Sequence, residues 1–249
     1  MSVHTKSKKV TTQDLAQRKG GTPIVGLTAY TAPLARAMDA EMDFILVGDS
    51  LAMTIYGESS TVGVDLDTMV RHGRAVVRAC SHACVVVDLP FGSYQASPEQ
   101  AFLSASRILM ETGCDAVKLE GGEEMAETVD FLVRRGVPVM GHIGLTPQAI
   151  NVLGGFKTQG KDEAAVQKLL ADGRALDEAG CFALVVEGVI ESAARQVNAA
   201  VKTPTIGIGA SVECDGQILV IDDVIGLFAD FKPKFVKRYA AILPTIQEA

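Results

Sequence analysis

The amino-acid sequence predicts an α/β fold, a (β/α)8 TIM barrel, from three observations. Short, continuous apolar runs such as Phe44-Ile45-Leu46-Val47 are typical of strands in a parallel sheet that is covered on both faces. Helix-like segments separate most of these runs. Several runs end in an ionisable residue, as Val85-Val86-Val87 ends in Asp88. Barrels carry their chemistry at the C-terminal ends of their strands, so this pattern favours a barrel.

The elements alternate along the whole chain. The predicted strands cover residues 23–28, 44–47, 84–87, 116–120, 137–142, 182–187, 205–209 and 217–221. The predicted helices cover residues 12–18, 30–41, 65–79, 98–113, 123–135, 162–179, 190–201 and 234–246. An open doubly wound sheet is the alternative, but it usually has a glycine-rich phosphate loop after its first strand, where this chain has Thr28-Ala29-Tyr30.

Capping residues and prolines mark several boundaries. Ser97-Pro98-Glu99-Gln100 is a strong helix start, because serine caps the helix, proline suits its first position and glutamine completes a capping box. Pro233 and Pro244 limit the last predicted helix. Two long segments, residues 51–65 and 143–160, are expected to be loops, and long loops in compact domains are usually functional or disordered.

Composition indicates an ordinary globular protein. The 249 residues are 48% hydrophobic and 21% charged, which suits a single α/β domain over residues 1–249 with a short N-terminal tail and helix. No apolar stretch approaches the roughly 20 residues of a membrane helix. The basic N-terminus lacks the apolar segment of a secretory signal, so we expect a cytoplasmic protein.

Charge and cysteine content narrow the partners. The formal net charge of −7 argues against nucleic acid or an anionic membrane, which are bound by clustered Lys and Arg. A small-molecule ligand is favoured instead. The five cysteines are scattered and odd in number, which predicts reduced thiols. Cys80, His82 and Cys84 lack a second pair at ligand spacing, so no zinc site is expected.

Three carboxylates at strand ends predict a metal site. Asp49, Asp88 and Glu120 follow successive predicted strands and offer hard oxygen ligands. Mg²⁺ favours one or two carboxylates together with water and substrate oxygens. A helix N-cap or a solvated loop is the alternative interpretation of each carboxylate taken singly.

Neighbouring side chains would complete a substrate site. Lys118 lies two residues before Glu120 and should point to the same face of its strand, giving an anion-binding ammonium beside the metal, or simply a structural ion pair. Ser50 adds a hydroxyl donor. Glu187 would arrive from the opposite side of the barrel, where it suits a general base. His142 is either a substrate contact or a buried core histidine.

Six motifs, in order, resemble the ketopantoate (3-methyl-2-oxobutanoate) hydroxymethyltransferase family. They are Val47-Gly48-Asp49-Ser50, Asp88-Leu89-Pro90-Phe91, Val117-Lys118-Leu119-Glu120-Gly121-Gly122, Gly141-His142-Ile143-Gly144-Leu145-Thr146-Pro147-Gln148, Gly154-Gly155-Phe156-Lys157 and Asp215-Gly216-Gln217. The resemblance implies a barrel of the phosphoenolpyruvate/pyruvate superfamily. It also implies Mg²⁺-dependent transfer of a one-carbon unit from 5,10-methylenetetrahydrofolate to 3-methyl-2-oxobutanoate, and a homodecamer.

The resemblance also implies roles for single residues. Asp49 and Asp88 resemble the metal ligands, with Glu120 at or just behind the metal. Ser50 and Lys118 resemble the groups that hold the keto-acid carboxylate. Glu187 resembles the general base that forms the enolate.

The chain departs from the family pattern in loops, at Gly209-Ala210-Ser211, at Asp222-Asp223 and in the proline-free turn after Glu187. We expect these changes to affect folate geometry more than reaction type. Two other functions stay open. A lyase or mutase of the same superfamily would keep the carboxylates but would not need the loops at Gly154-Gly155-Phe156 and Asp215-Gly216-Gln217. A non-catalytic keto-acid binding protein would not need Glu187.

Overall fold

Eight parallel strands form a closed barrel in the computed structural model, which describes residues 8–228 and 232–249. The strands are β1 (Ile24–Thr28), β2 (Phe44–Val47), β3 (Cys84–Asp88), β4 (Ala116–Lys118), β5 (Val139–Gly144), β6 (Ala183–Glu187), β7 (Thr205–Ile208) and β8 (Gly216–Leu219). Each strand pairs with the next in parallel, and β8 closes the barrel against β1. The predicted (β/α)8 fold is confirmed.

The longer helices between strands pack on the outside of the barrel, and other helices lie in loops or near the termini. The helices are α1 (Thr12–Ala16), α2 (Ala32–Met38), α3 (Leu51–Thr54), α4 (Leu66–Val77), α5 (Pro98–Thr112), α6 (Ala126–Val133), α7 (Ile150–Leu153), α8 (Glu163–Glu178), α9 (Glu191–Ala200), α10 (Ile221–Val224) and α11 (Ile242–Glu248). Within the described residues, no helix is both long enough and apolar enough to cross a membrane. The five cysteines are free thiols.

The alternation of side chains along each strand determines which residues face the barrel interior. On β2, Ile45 and Val47 belong to the large apolar cluster shared with the helices, whereas Phe44 and Leu46 belong to a second cluster inside the barrel. β3 and β4 behave alike, because alternate residues of a strand point to opposite faces. The polar last residues of β3 and β4 lie two positions after the inner residues Val86 and Ala116, so they face the mouth of the barrel. The same alternation places the polar residues of β5 and β6 there.

The opposite end of the barrel is closed by the N-terminal segment. Val10 and Leu15 belong to the interior cluster, and Val10 N–H donates to the carbonyl of His82 at 2.8 Å. Thr11 and Asp14 cap α1 reciprocally in a capping box. The predicted first helix is therefore confirmed, and it covers the end without the ionisable strand termini. The predicted tail lies mostly in residues 1–7, outside the described residues.

Three predicted elements were wrong. The segment 51–65 contains α3 and a 3-10 turn, and 143–160 contains α7 and another 3-10 turn. The predicted helix at 234–246 is absent; α11 begins at Ile242. Pro244 lies in the first turn of α11, where amides have no helical acceptor and a missing N–H is tolerated. Pro244, which was predicted near the end of a helix, therefore lies at the beginning of one.

Candidate active site

The ionisable side chains predicted from the sequence meet at the C-terminal end of the barrel. Asp88, Lys118 and Glu187 are the last residues of β3, β4 and β6. His142 lies within β5, Asp49 and Ser50 follow β2, and Glu120 follows β4. All are buried except Ser50 and Glu187, which are partly exposed. A deeply buried polar group here must be compensated by its neighbours or by a ligand.

Lys118 lies at the centre of the buried charges. Its Nζ is 3.2 Å from Asp88 Oδ1, 4.0 Å from Glu120 Oε1 and 3.2 Å from His142 Nδ1. His142 Nδ1 is 3.5 Å from Glu120 Oε1, and its Nε2 is 3.2 Å from Glu187 Oε2. A continuous line of ionisable groups therefore crosses the mouth from β3 to β6.

The pKa shifts follow from burial and from this crowding. Burial raises the pKa of Asp49 well above its usual range, and the charges of Asp88 and Glu120 raise it further. Burial also raises the pKa of Asp88, against the effect of Lys118. Burial acts to raise the pKa of Glu120, but hydrogen bonding and charge from His142, with Lys118, lower it. Without a further positive charge, the site therefore disfavours the simultaneous ionisation of all three carboxyls.

Two basic groups stay protonated within this cluster. Burial disfavours the ammonium of Lys118, but Asp88, Glu120 and Asp49 together raise its pKa. Burial and Lys118 act to lower the pKa of His142, but Glu120 and Glu187 raise it to about 9. With both ring nitrogens protonated, the 3.2 Å approach of Lys118 to Nδ1 is a repulsive contact rather than a hydrogen bond.

Ser50 lies beside the carboxylates and is oriented by Tyr30. The hydroxyls of Ser50 and Tyr30 are 2.8 Å apart, and Tyr30 is buried. A Cβ on Gly48 would come within 2.8 Å of Ser50 Oγ and 3.6 Å of Asp88 Oδ2. A side chain at position 48 would therefore displace the Ser50 hydroxyl from its place beside Tyr30.

The donor set fits a hard divalent cation. The amide N–H of Asp49 donates to Asp88 Oδ2 at 3.0 Å, which places the two aspartates side by side. Asp88 Oδ1 is buried and makes no aligned hydrogen bond, although Lys118 is near. Among the described residues, no three His, Cys, Asp or Glu side chains form a preorganised metal cluster. Two carboxylates with water and substrate oxygens are nevertheless a usual environment for Mg²⁺.

Sequence reasoning missed two polar side chains at the site, Gln148 and Tyr94. Gln148 Nε2 donates to Asp49 Oδ2 at 2.8 Å, and its backbone N–H donates to Glu120 Oε2 at 3.0 Å. The hydroxyl of Tyr94 is 2.7 Å from Gln148 Oε1. Both residues lie in or next to motifs that the sequence singled out, but an amide or a phenol shows no function without its partners.

The Asp215-Gly216-Gln217 motif does not lie at the mouth. Asp215 immediately precedes β8 and accepts hydrogen bonds from the backbone of Gly20 at 2.7 Å and of Thr205 at 2.8 Å, and from Lys19 Nζ at 3.0 Å. These partners surround the N-terminal ends of β7 and β8. The Asp215 carboxylate therefore ties the strand beginnings together.

Of the departures from the family pattern, Asp222 and Asp223 are buried after β8. Burial raises the pKa of both carboxyls. Ser211 is also buried, and its hydroxyl accepts from the amide of Glu213 at 3.1 Å. Ser211 therefore stabilises its own turn.

With this geometry established, comparison with known proteins assigns the chain to a family. A family model described as ketopantoate hydroxymethyltransferase matches residues 9–249. The chain belongs to this family. The match spans nearly all of the described barrel and every residue of the candidate site.

Two relatives and one solved structure illustrate the family and the fold. The chain is 59% identical over 249 residues to a 3-methyl-2-oxobutanoate hydroxymethyltransferase of Sinorhizobium medicae, covering 100% of this chain and 91% of the relative. It is 61% identical to the Rhodospirillum centenum enzyme of that name, covering 100% and 90%. The fold is similar to that of 2,3-dimethylmalate lyase, a PEP mutase/isocitrate lyase superfamily member, with a TM-score of 0.59, 16% identity and coverage of 82% and 77%.

Proposed function

We propose that this protein transfers a hydroxymethyl group from 5,10-methylenetetrahydrofolate to 3-methyl-2-oxobutanoate, giving 2-dehydropantoate and tetrahydrofolate for pantothenate biosynthesis. Family membership and relatives of about 60% identity support the reaction. The observation that carries the proposal is the line from Asp88 through Lys118 and His142 to Glu187. It joins an acidic pair suited to a cation with a partly exposed carboxylate suited to a proton acceptor.

Asp49 and Asp88 would hold Mg²⁺, with Glu120 just behind. The raised pKa values of both carboxyls, whose ionised forms a cation would stabilise, and the unaligned Asp88 Oδ1 support this assignment. When bound, Mg²⁺ supplies Lewis-acid stabilisation for the negative charge that develops on the 2-oxo oxygen of the substrate. Glu120 is held by Gln148 N–H, beside Lys118 and His142, and this crowding favours a supporting role.

Lys118 and Ser50 would bind the carboxylate of the keto acid. The ammonium stays protonated in its acidic surroundings, and the Ser50 hydroxyl is held by Tyr30. A buried ammonium and a preoriented hydroxyl bind an anion without reorganising, which favours a single substrate orientation. His142 would contact the substrate from the neighbouring strand, between Lys118 and Glu187.

Glu187 would act as the general base. Its side chain is 21% exposed, against 3–4% for His142, Asp88 and Lys118, so it is the site carboxylate that a ligand in the mouth reaches most easily. The carboxylate removes the proton from C3 of the keto acid, and C3 then forms a bond to the methylene carbon of the folate iminium, whose C=N π electrons move onto nitrogen. Water then replaces that nitrogen on the methylene carbon, which releases the hydroxymethylated product and tetrahydrofolate. The protonated His142 ring lies beside the Glu187 carboxylate, with Nε2 3.2 Å from Oε2, and attracts it electrostatically.

We further propose a cytoplasmic homo-oligomer, a homodecamer by family resemblance. Leu103 and Met110 lie seven residues apart on α5 and are 69% and 78% exposed, so one face of that helix offers apolar area to another copy. Light scattering at micromolar concentration should give a mass larger than a dimer. A monomer mass would reject the oligomer.

The reaction is tested by incubating the protein with 3-methyl-2-oxobutanoate, Mg²⁺ and methylenetetrahydrofolate and identifying the product by mass. We expect the hydroxymethylated keto acid, formed only when the folate is present. Conversion of the keto acid without folate would favour the lyase or mutase alternative. Binding without any conversion, under conditions in which a relative is active, would favour the non-catalytic alternative.

A further inference from the structure

Gln148 connects two carboxylates that belong to different strands. It lies in the 3-10 turn Pro147–Ala149 after β5 and is 5% exposed. Its side-chain Nε2 donates to Asp49 Oδ2 at 2.8 Å and to the carbonyl of Leu89 at 2.9 Å. Its backbone N–H donates to Glu120 Oε2 at 3.0 Å. A single neutral residue therefore fixes the positions of both carboxylates.

The orientation of the Gln148 amide is determined by its partners. The Leu89 carbonyl, which faces Nε2 beside Asp49, is an acceptor only. On the other side, Oε1 lies 2.7 Å from the hydroxyl of Tyr94 and 3.1 Å from Nε2 of Gln95, and both are donors. A flipped amide would set acceptor against acceptor and donor against donor. The amide consequently presents a donor to Asp49.

Tyr94 fixes this arrangement from behind. Its hydroxyl accepts the backbone N–H of Glu120 at 3.1 Å, and its own proton is available to Gln148 Oε1 at 2.7 Å. The ring is buried, so these hydrogen bonds are shielded from water. One hydrogen-bonded unit therefore joins Tyr94, Gln148 and the residues that follow β4.

A neutral amide orients a carboxylate without cancelling its charge. An arginine or a lysine at this place would neutralise Asp49 and compete with a cation. Gln148 instead occupies one oxygen, Oδ2, and leaves the other to bind a ligand. Hydrogen bonds of this kind around metal-binding side chains fix ligand orientation, and their loss typically weakens metal binding.

We propose that Gln148 is a positioning residue for the cation site. It holds the Asp49 carboxylate in the orientation, and at the distance from Glu120, that Mg²⁺ binding requires. This inference rests on the proposed function, because it takes Asp49 as a metal ligand. Gln148 itself touches neither substrate nor metal. Its effect passes through Asp49, and Tyr94 maintains it by fixing the amide.

The test uses the full chain and Mg²⁺ alone, without substrate, in titration calorimetry. Gln148→Met keeps the length of the side chain and removes its hydrogen bonds. We expect Mg²⁺ to bind about 10- to 100-fold more weakly than to the unaltered protein. Gln100→Met is the matched control, because Gln100 bonds to the backbone of Gly92 and Ala96 in a neighbouring loop. Its Mg²⁺ affinity should not change.

Tyr94→Phe provides a second measurement that retains Gln148, and it decides the question should Gln148→Met fail to fold. We expect a loss of Mg²⁺ affinity of about 10-fold, at the lower end of the same range. Unchanged Mg²⁺ affinity in folded Gln148→Met, or in Tyr94→Phe when only that variant folds, would overturn the inference. If Gln148 had only a structural role, the variants would bind Mg²⁺ with unchanged affinity and would lose only thermal stability.

Asp49→Ala separates this inference from the proposed function. If Mg²⁺ binding to the unaltered protein depends on Asp49 but not on Gln148, the positioning role fails and the metal assignment stands. If the unaltered protein binds no Mg²⁺, or Asp49→Ala binds it equally well, the metal assignment fails and the positioning role fails with it.

Discussion

Lys118 Nζ lies 3.2 Å from Asp88 Oδ1, and both side chains are almost completely buried at the barrel mouth. The Lys118 ammonium is the central positive charge of the acidic cluster, since Glu120 and Asp49 also act on it. Breaking a buried ion pair on one side leaves an uncompensated charge and is strongly destabilising. Lys118 is therefore important for folding as well as for binding of an anionic substrate.

Replacing Lys118 by methionine should lower the free energy of unfolding by about 3–5 kcal/mol at neutral pH, since the buried carboxylates lose their compensation. Urea denaturation of the metal-free protein measures the change. Lys168→Met is the matched control: Lys168 is half-exposed and contacts Glu123, Glu124 and Asp172. This substitution should lower the free energy of unfolding by no more than about 1 kcal/mol. Equal losses in the two variants would contradict a special role for Lys118.

Removing the proposed metal ligand Asp49 should have the opposite effect on stability. Asp49→Ala and Asp88→Ala should each abolish Mg²⁺-dependent keto-acid binding while the fold persists. Asp49 lies near the charges of Asp88 and Glu120, so losing one carboxylate relieves repulsion. Calorimetry should show unchanged or raised stability of metal-free Asp49→Ala, whereas Asp88→Ala also removes the ion-pair partner of Lys118 and should be less stable than Asp49→Ala. Normal Mg²⁺-dependent binding in both variants would remove the metal assignment.

Asp39 provides a prediction that is independent of the site. Its carboxylate accepts hydrogen bonds from the backbone of Ser81 at 2.7 Å, His82 at 3.1 Å and Ala83 at 2.9 Å. Burial acts to raise the pKa of Asp39, but these backbone hydrogen bonds lower it below 3.8. A carboxyl with a lowered pKa in the folded state stabilises fully above 3.8, and the effect disappears as the pH falls through the lowered value.

Asp39→Asn turns an NH2 group toward amide donors. It should lower the free energy of unfolding by about 1–3 kcal/mol near neutral pH. Urea denaturation as a function of pH measures this difference, which should shrink as the pH falls below 3.8. Asp130→Asn is the control, because Asp130 pairs only at the surface with Arg134, 2.7 Å away. A difference that grows on acidification would show that the Asp39 carboxylate is not stabilised by these amides.

The sequence predicted the site where side-chain alternation along a strand sufficed. Asp88 and Lys118 end apolar strands, so strand periodicity and the barrel rule place them at one mouth. Gln148 could not be found in this way, because its partners Leu89 and Asp49 are 59 and 99 positions away in sequence. Asp215 shows the converse: it belongs to a motif of the family resemblance, but its carboxylate lies at the other end of the strands.

Glu187 is the residue whose substitution best separates catalysis from structure. Glu187→Gln keeps the size and hydrogen-bonding capacity of the side chain but cannot accept the proton from C3. Mg²⁺ and keto acid should still bind with nearly unchanged affinity, because Asp49, Asp88 and Lys118 provide that binding. Exchange of the C3 hydrogen with deuterated water, which needs no folate, should fall about 10²–10⁴-fold, as is typical when a positioned acid or base is lost.

Proton NMR of the keto acid in deuterated water measures the exchange, and calorimetry measures binding on the same samples. Glu191→Gln is the matched control, since Glu191 lies at the start of α9 and bonds to Arg195 at 2.6 Å. It should exchange at the unaltered rate. A Glu187 that only supports His142 would, when replaced, reduce thermal stability, binding and exchange together. Exchange at the unaltered rate in a folded, ligand-binding Glu187→Gln protein would exclude Glu187 as the base; His142, 3.2 Å away, could replace it only after losing the proton that its surroundings hold.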